Sequence, residues 1–143
     1  MLSLKEFLNK YGDDTTSNFD LISWSKQLGI PKMKVVMKNE LHKLKGEYII
    51  CNYQTSDFVG THWIAMYKDK DQAFYFNSFG TQPFKEAIYY LGPKHMYSTF
   101  QIQKLNQKCC GQLCLYFLYS LHNKKSYIDT IFDMLFWSLK NEL

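Results

Sequence analysis

The stretch Cys109-Cys110-Gly111-Gln112-Leu113-Cys114-Leu115-Tyr116-Phe117-Leu118-Tyr119-Ser120-Leu121 decides the fold. Leu113, Leu115, Phe117, Leu118 and Leu121 cover every face of a helix over 111–121. A helix with no polar face has to be enclosed by the rest of its domain. Its start also carries chemistry. With Gly111 in the first turn, the Cys110 thiol lies at the positive end of the helix dipole, a field that stabilises a thiolate and lowers its pKa. Gly111 removes a side chain where a substrate backbone can approach. The plainer reading of Cys109, Cys110 and Cys114 is that they are small core residues.

Around this centre the chain breaks into short elements. Ser3 and Glu6 have capping-box spacing ahead of the stripe Leu4, Phe7, Leu8 and Tyr11, which Gly12-Asp13-Asp14 ends. Ser17 with Asp20 repeats the pattern before Leu21, Trp24 and Leu28, and that helix stops ahead of Pro31. Val35-Val36-Met37 reads as a short strand. Residues 48–52, 62–67 and 73–76 are rich in β-branched or aromatic side chains and read as strands of a central sheet. The charged tip Lys68-Asp69-Lys70-Asp71 makes a hairpin of the last two. Pro83 opens a helix running to Leu91 and closed by Gly92-Pro93, and 97–102 is a further strand. Ser126 with Asp129 caps a last helix bearing Ile131, Phe132, Leu135, Phe136 and Leu139. Helices, then strands, then helices imply an α+β domain with a mostly antiparallel sheet.

The 143 residues suit a single domain over 1–143, and 46% hydrophobic with 17% aromatic residues suffices for a real core. No apolar run reaches the eighteen or so residues that a membrane span needs. The start Met-Leu-Ser-Leu-Lys-Glu-Phe has no signal-peptide apolar block, so the expectation is an intracellular, soluble, non-secreted protein. The net charge is +4 and all seventeen basic residues are lysines, which lack the fork of arginine for bidentate contacts. That charge allows weak attraction to DNA or to an acidic partner, without sequence-specific recognition. Three of the four cysteines crowd into six positions, with no second half for a zinc site and no oxidising compartment indicated, so free thiols are expected.

A cysteine nucleophile needs a base. His42, His95 and His122 sit in polar or lysine-flanked surroundings. His62 instead opens an apolar strand, between Gly60-Thr61 and Trp63, where it can be held at a cleft rim with the indole as shield. A hydrogen-bonded core histidine is the alternative. Asn77 ends the next strand in Phe74-Tyr75-Phe76-Asn77-Ser78-Phe79-Gly80, so a hairpin brings it beside His62, where an amide can orient the imidazole. It can equally be a plain turn starter. For the developing oxyanion the donors are the Cys110 backbone N–H and Gln103, seven residues upstream, with Gln101 and Gln107 as alternatives.

These residues together resemble a known pattern. Gly60-Thr61-His62-Trp63, then Tyr75-Phe76-Asn77-Ser78-Phe79-Gly80, then Gln103 ahead of Cys110-Gly111-Gln112-Leu113-Cys114, look like the adenovirus-type (adenain-like) cysteine proteases. Within that group the chain is most similar to proteases of virophages and Maverick/Polinton-type elements. The SUMO-specific (ubiquitin-like-protein) proteases share the order. The resemblance spans roughly 17–121, including Asn18-Phe19-Asp20-Leu21 and Ile49-Ile50-Cys51-Asn52.

It implies a papain-like protease fold and a site of His62 as base, Asn77 as orienting partner, Gln103 as oxyanion donor and Cys110 as nucleophile. Trp63 and Gly111 would border the substrate. The family usually carries Asp or Glu where this chain has Asn77. By the resemblance the substrate is a viral capsid precursor polypeptide, cleaved at small Gly-containing motifs during particle maturation, in the virion and the viral factory of the host-cell cytoplasm. The chemistry calls for no cofactor and no metal. A monomer is expected, open to weak DNA or activating-peptide binding; Cys109 or Cys51 is the cysteine through which a peptide could attach. The rival readings are a deconjugating enzyme for ubiquitin-like proteins and a non-catalytic binding module derived from a protease.

Overall fold

The computed structural model describes residues 1–53 and 62–140, so Gly60 and Thr61 of the histidine motif lie outside the described residues. Three helix starts follow from serine chemistry. Ser3 Oγ accepts the Glu6 N–H at 3.2 Å while Glu6 Oε1 accepts the Ser3 N–H at 3.0 Å, which opens α1 (Leu4–Tyr11). Ser17 Oγ accepts the Asp20 N–H at 3.1 Å at the start of α2 (Asn18–Gln27). Ser126 Oγ accepts the Asp129 N–H, also at 3.1 Å, at the start of α5 (Tyr127–Lys140).

Five strands form one sheet in chain order: β1 (Lys34–Met37), β2 (Tyr48–Asn52), β3 (Trp63–Lys68), β4 (Ala73–Phe76) and β5 (Met96–Tyr97). The central pairs β2–β3 and β3–β4 are antiparallel, with Asn52 opposite Trp63 and Ala65 opposite Phe76. The edge pairs β1–β2 and β4–β5 are parallel. Between β3 and β4 the charged tip closes as an Asx turn, in which Asp69 Oδ1 accepts the N–H groups of Asp71 and Gln72 at 2.8 and 2.7 Å.

The central strands β2, β3 and β4 are largely buried on both faces because helices cover both. Tyr48, Ile50, Trp63, Ala65, Phe74 and Phe76 face a core shared with α1, α2, α5 and α4 (Cys110–His122). Ile49, Cys51, Ile64, Met66 and Tyr75 face a smaller core closed by α3 (Lys85–Leu91) and the 3₁₀ turn Lys38–Lys43. Every residue of α4 from Cys110 to Ser120 is buried, as its all-round apolar sequence requires. Phe117 of α4 stacks on Phe76 at 5.0 Å, which fixes the helix against the sheet.

Two elements differ from the sequence expectation. The strand expected over 97–102 is confined to Met96–Tyr97. Beyond it the backbone is held elsewhere, for the N–H groups of Ile102 and Gln103 both donate to Ser78 O at 2.8 Å. The helix expected from Pro83 begins at Lys85, with Phe84 as its N-cap.

Candidate active site

The antiparallel register decides the first contact. His62 immediately precedes β3 and Asn77 immediately follows β4, so the hairpin sets them at the same end of the sheet. Their side chains meet at 2.9 Å, Nε2 of His62 to Oδ1 of Asn77. The other Asn77 contacts fix which end of the amide faces the ring. Phe79 N–H, which can only donate, gives a 3.0 Å hydrogen bond to Oδ1, while Asn77 Nδ2 donates to Thr81 Oγ1 at 2.6 Å. With Oδ1 facing the ring, His62 has to donate through Nε2–H. Its Nδ1 is therefore the nitrogen left with a lone pair, able to act as a base.

The imidazole is clasped by aromatic rings that the sequence reading did not single out. Phe79 stacks on it at 4.7 Å and 26°, and Tyr53 meets it edge-on at 6.3 Å. The shield expected from Trp63 is thus supplied by Phe79. Trp63, the next residue along an alternating strand, belongs to the core on the α4 side. No local signal in Asn77-Ser78-Phe79-Gly80 announces the Phe79 contact, which exists because the turn folds back over the strand start.

Cys110 is the first residue of α4 and only 6% exposed. Its sulfur lies against backbone N–H groups of Trp63 and Gly111. The first of these belongs to the residue that follows His62, so the helix start and the strand start converge. One turn on, the Cys114 thiol donates to Trp63 O at 3.3 Å and pins α4 to β3.

The electrostatics correct one expectation. Burial pushes the Cys110 thiol above its ordinary pKa, and the backbone N–H groups of Trp63, Gly111 and Cys110 itself only partly offset this. Burial also lowers the pKa of His62, against the hydrogen bond that its ring donates to Asn77. Both shifts favour the uncharged forms, against the lowered thiol pKa expected from the helix field. Iodoacetamide labelling of Cys110, followed from about pH 5 to about pH 10, should therefore rise towards alkaline pH without an acid-side plateau. A fast plateau at neutral pH would mean a pre-formed thiolate–imidazolium pair. Because the pKa of His62 is lowered, the acid limb of any turnover should fall below the ordinary histidine value.

Among the three glutamines, Gln103 is the one built into the site's framework. It is 1% exposed, its Oε1 accepts from Ser78 Oγ at 2.7 Å, and its Nε2 donates to Gln107 O at 2.5 Å. Ser78 thereby ties Gln103 to the turn that carries Asn77. Gln101 is exposed and braces Gln103 O at 3.1 Å, while Gln107 Oε1 accepts the Lys104 N–H at 2.8 Å; both serve the loop. The Ser78 bond turns the acceptor end of the Gln103 amide away, and its second N–H has no acceptor among the described residues.

Trp63 and Gly111 serve the site differently from the substrate-border role expected of them. A Cβ on Gly111 would lie 2.3 Å from Thr16 Cγ2 and 3.2 Å from Trp63 Cδ1, so the room it leaves is filled by the segment before α2. Trp63 is 8% exposed, with its Nε1 donating to Thr16 O at a long 3.4 Å. Gln112 Nε2 adds a 2.8 Å bond to Asp14 O. Residues 14–16 thus strap across the start of the helix, and Trp63 and Gly111 receive the strap. Cys51, in the middle of the sheet and fully buried, is closed to an attaching peptide.

A groove of about 1350 Å³ lies elsewhere, between α1, α5 and residues 106–109. It contains no histidine, and burial pushes its one cysteine, Cys109, up to about 11.

No family model matches the chain, and no curated protein matches it in sequence. In three dimensions it is similar to the crystal structure of the Se-Met form of the ASFV pS273R protease, with a TM-score of 0.59 and 15% sequence identity. The superposition covers 87% of this chain and 66% of that one, so the chain spans about two thirds of its structural neighbour. At that identity the likeness shows the fold alone, an α+β architecture shared with that protease, here with α4 buried against the sheet.

Proposed function

We propose that the chain is a cysteine endopeptidase that hydrolyses peptide bonds through a thioester, with Cys110 as nucleophile, His62 as general base, Asn77 as its orienting partner and Gln103 as an oxyanion donor. The observation that carries this reading is the 2.9 Å contact of His62 with Asn77 at the strand start against whose backbone the Cys110 sulfur packs. His62 Nδ1 takes the thiol proton as the sulfur attacks the scissile carbonyl, in keeping with burial that favours the uncharged form of each group. The Gln103 amide and the Cys110 N–H stabilise the tetrahedral oxyanion. The imidazolium then protonates the leaving amine, and a water deprotonated by His62 hydrolyses the thioester. No metal or cofactor enters these steps.

The substrate reading rests on the adenovirus-type motif order, closest to virophage and Maverick/Polinton-type proteases, and is supported by the fold shared with a viral protease. The chain would act as a monomer on capsid precursors, after small Gly-containing motifs, in the virion and in the viral factory of the host cytoplasm. Its +4 charge supports weak DNA binding as an accessory.

The test is co-expression with a capsid precursor containing Gly-Gly motifs, with products mapped by mass, beside an incubation with SUMO and ubiquitin conjugates. The expected result is precursor fragments ending in the Gly-containing motif. Cleavage of the conjugates alone would assign the chain to deconjugation. Silence in both arms, with Cys110 also unlabelled by a Gly-ending electrophilic peptide, would leave a non-catalytic binding module.

A further inference from the structure

Where a carboxylate orients a histidine, its two oxygens are equivalent and either end serves. An amide has one accepting and one donating end, and only the accepting end holds an imidazole as the Nε2–H tautomer. With Nδ2 turned to the ring, His62 would have to accept through Nε2, its proton would move to Nδ1, and the lone pair needed for base chemistry would be lost. Asn77 therefore has to be held in one orientation as well as in place. It is only 4% exposed, so each of its polar atoms also has to find a partner in the protein.

The turn after β4 answers both needs. Phe79 N–H selects Oδ1 as the end facing the ring side, at 3.0 Å. Asn77 Nδ2 is then left pointing the other way, where Thr81 Oγ1 accepts from it at 2.6 Å. Thr81 is the side chain whose hydroxyl accepts from the amide there, with the buried Tyr75 hydroxyl close by. Thr81 is itself exposed and outside the helices and strands, with no evident part in the core.

We propose that Thr81 is a positioning residue for the reaction: by accepting from Asn77 Nδ2 it holds Oδ1 on His62 Nε2–H and keeps Nδ1 free as the base. This rests on the protease reading above for its kinetic consequence, but its spectroscopic consequence stands without any substrate.

The experiment compares Thr81→Val, Thr81→Ser and Thr81→Asp in the full chain. Two readouts are used: the ¹⁵N signals of the His62 ring, assigned with a His62→Gln control, and kcat and KM for peptide hydrolysis. Val keeps the shape and removes the acceptor. Thr81→Val is expected to raise the Nδ1–H tautomer and lower kcat by about two- to tenfold, the range for one neutral hydrogen bond, with KM nearly constant. Ser keeps the hydroxyl and should restore both. Asp at this position, ionised at neutral pH, can only accept, and should keep the Nε2–H tautomer. A folded Thr81→Val protein with the wild-type ring signals and kcat would overturn the proposal, as would loss of the Nε2–H tautomer in Thr81→Asp. If the Val variant fails to fold, Thr81→Ala at this exposed position supplies the same readouts. Failure of the protease reading looks different: a wild-type chain that hydrolyses nothing while its ring signals still respond to Thr81.

Discussion

Cys110→Ala should abolish hydrolysis, by about a thousandfold or more, while the domain stays folded. The size of the loss follows from covalent catalysis: without the sulfur no thioester forms, and the remaining groups only position and polarise the substrate. The fold should survive because Cys110 is the first residue of α4 and contributes a single small buried sulfur. Removing it should destabilise by about 1 kcal/mol, at the low end for core truncations. The matching control is Cys109→Ala. Cys109 is the N-cap residue, offers no side-chain cap, and faces the groove between α1 and α5, so this variant should retain most activity. Denaturant unfolding and a peptide hydrolysis assay read both quantities. Activity persisting in Cys110→Ala and vanishing in Cys109→Ala would move the nucleophile by one residue and with it the whole site.

Gly80→Ala should be strongly destabilising. Gly80 has φ +74°, a left-handed conformation that costs an L-residue about 1–2 kcal/mol. The added Cβ would also lie 2.6 Å from Thr99 O and 2.7 Å from Phe100 O, and these are backbone atoms that cannot swing aside. The two effects together should exceed about 3 kcal/mol, a large share of the stability of a small domain. The strand of chain pushed away is the one whose Ile102 and Gln103 N–H groups hang on Ser78 O. Activity should therefore fall further than the unfolded fraction explains, because the turn of Asn77 and the anchor of Gln103 move apart. Gly92→Ala isolates the first effect. Gly92 has φ +87° with nothing within 4 Å of the new Cβ, so it should show the backbone term alone. Equal losses in the two variants would mean that the crowding at Gly80 is relieved by movement and that the 99–103 segment is not locked to the turn.

These two predictions also mark how far reading residues alone could go. Local chemistry was legible wherever the cause was local. Ser3, Ser17 and Ser126 open helices because a hydroxyl three residues ahead of a free N–H needs nothing else to cap it. The burial of α4 followed from its lack of a polar face, and the nearness of His62 to Asn77 followed from the hairpin, since antiparallel pairing sets the start of one strand beside the end of the next. The shortened β5 was not legible, because aromatic and β-branched residues over 97–102 look the same whether their N–H groups meet a strand or the carbonyl of Ser78.

The sequence by itself determined the element order, the single enclosed helix, the α+β class and the residue types at the site, because capping, periodicity and strand pairing act between near neighbours or along one hairpin. Only the tertiary structure decided the state and orientation of those residues. Burial pushes the Cys110 thiol up and the His62 imidazole down, and a sequence carries no record of burial until the chain has folded around it. The direction of the Asn77 amide is set by Phe79 and Thr81, and that of the Gln103 amide by Ser78 across 25 residues, through hydrogen bonds that exist only once the turn and the 99–103 segment have met.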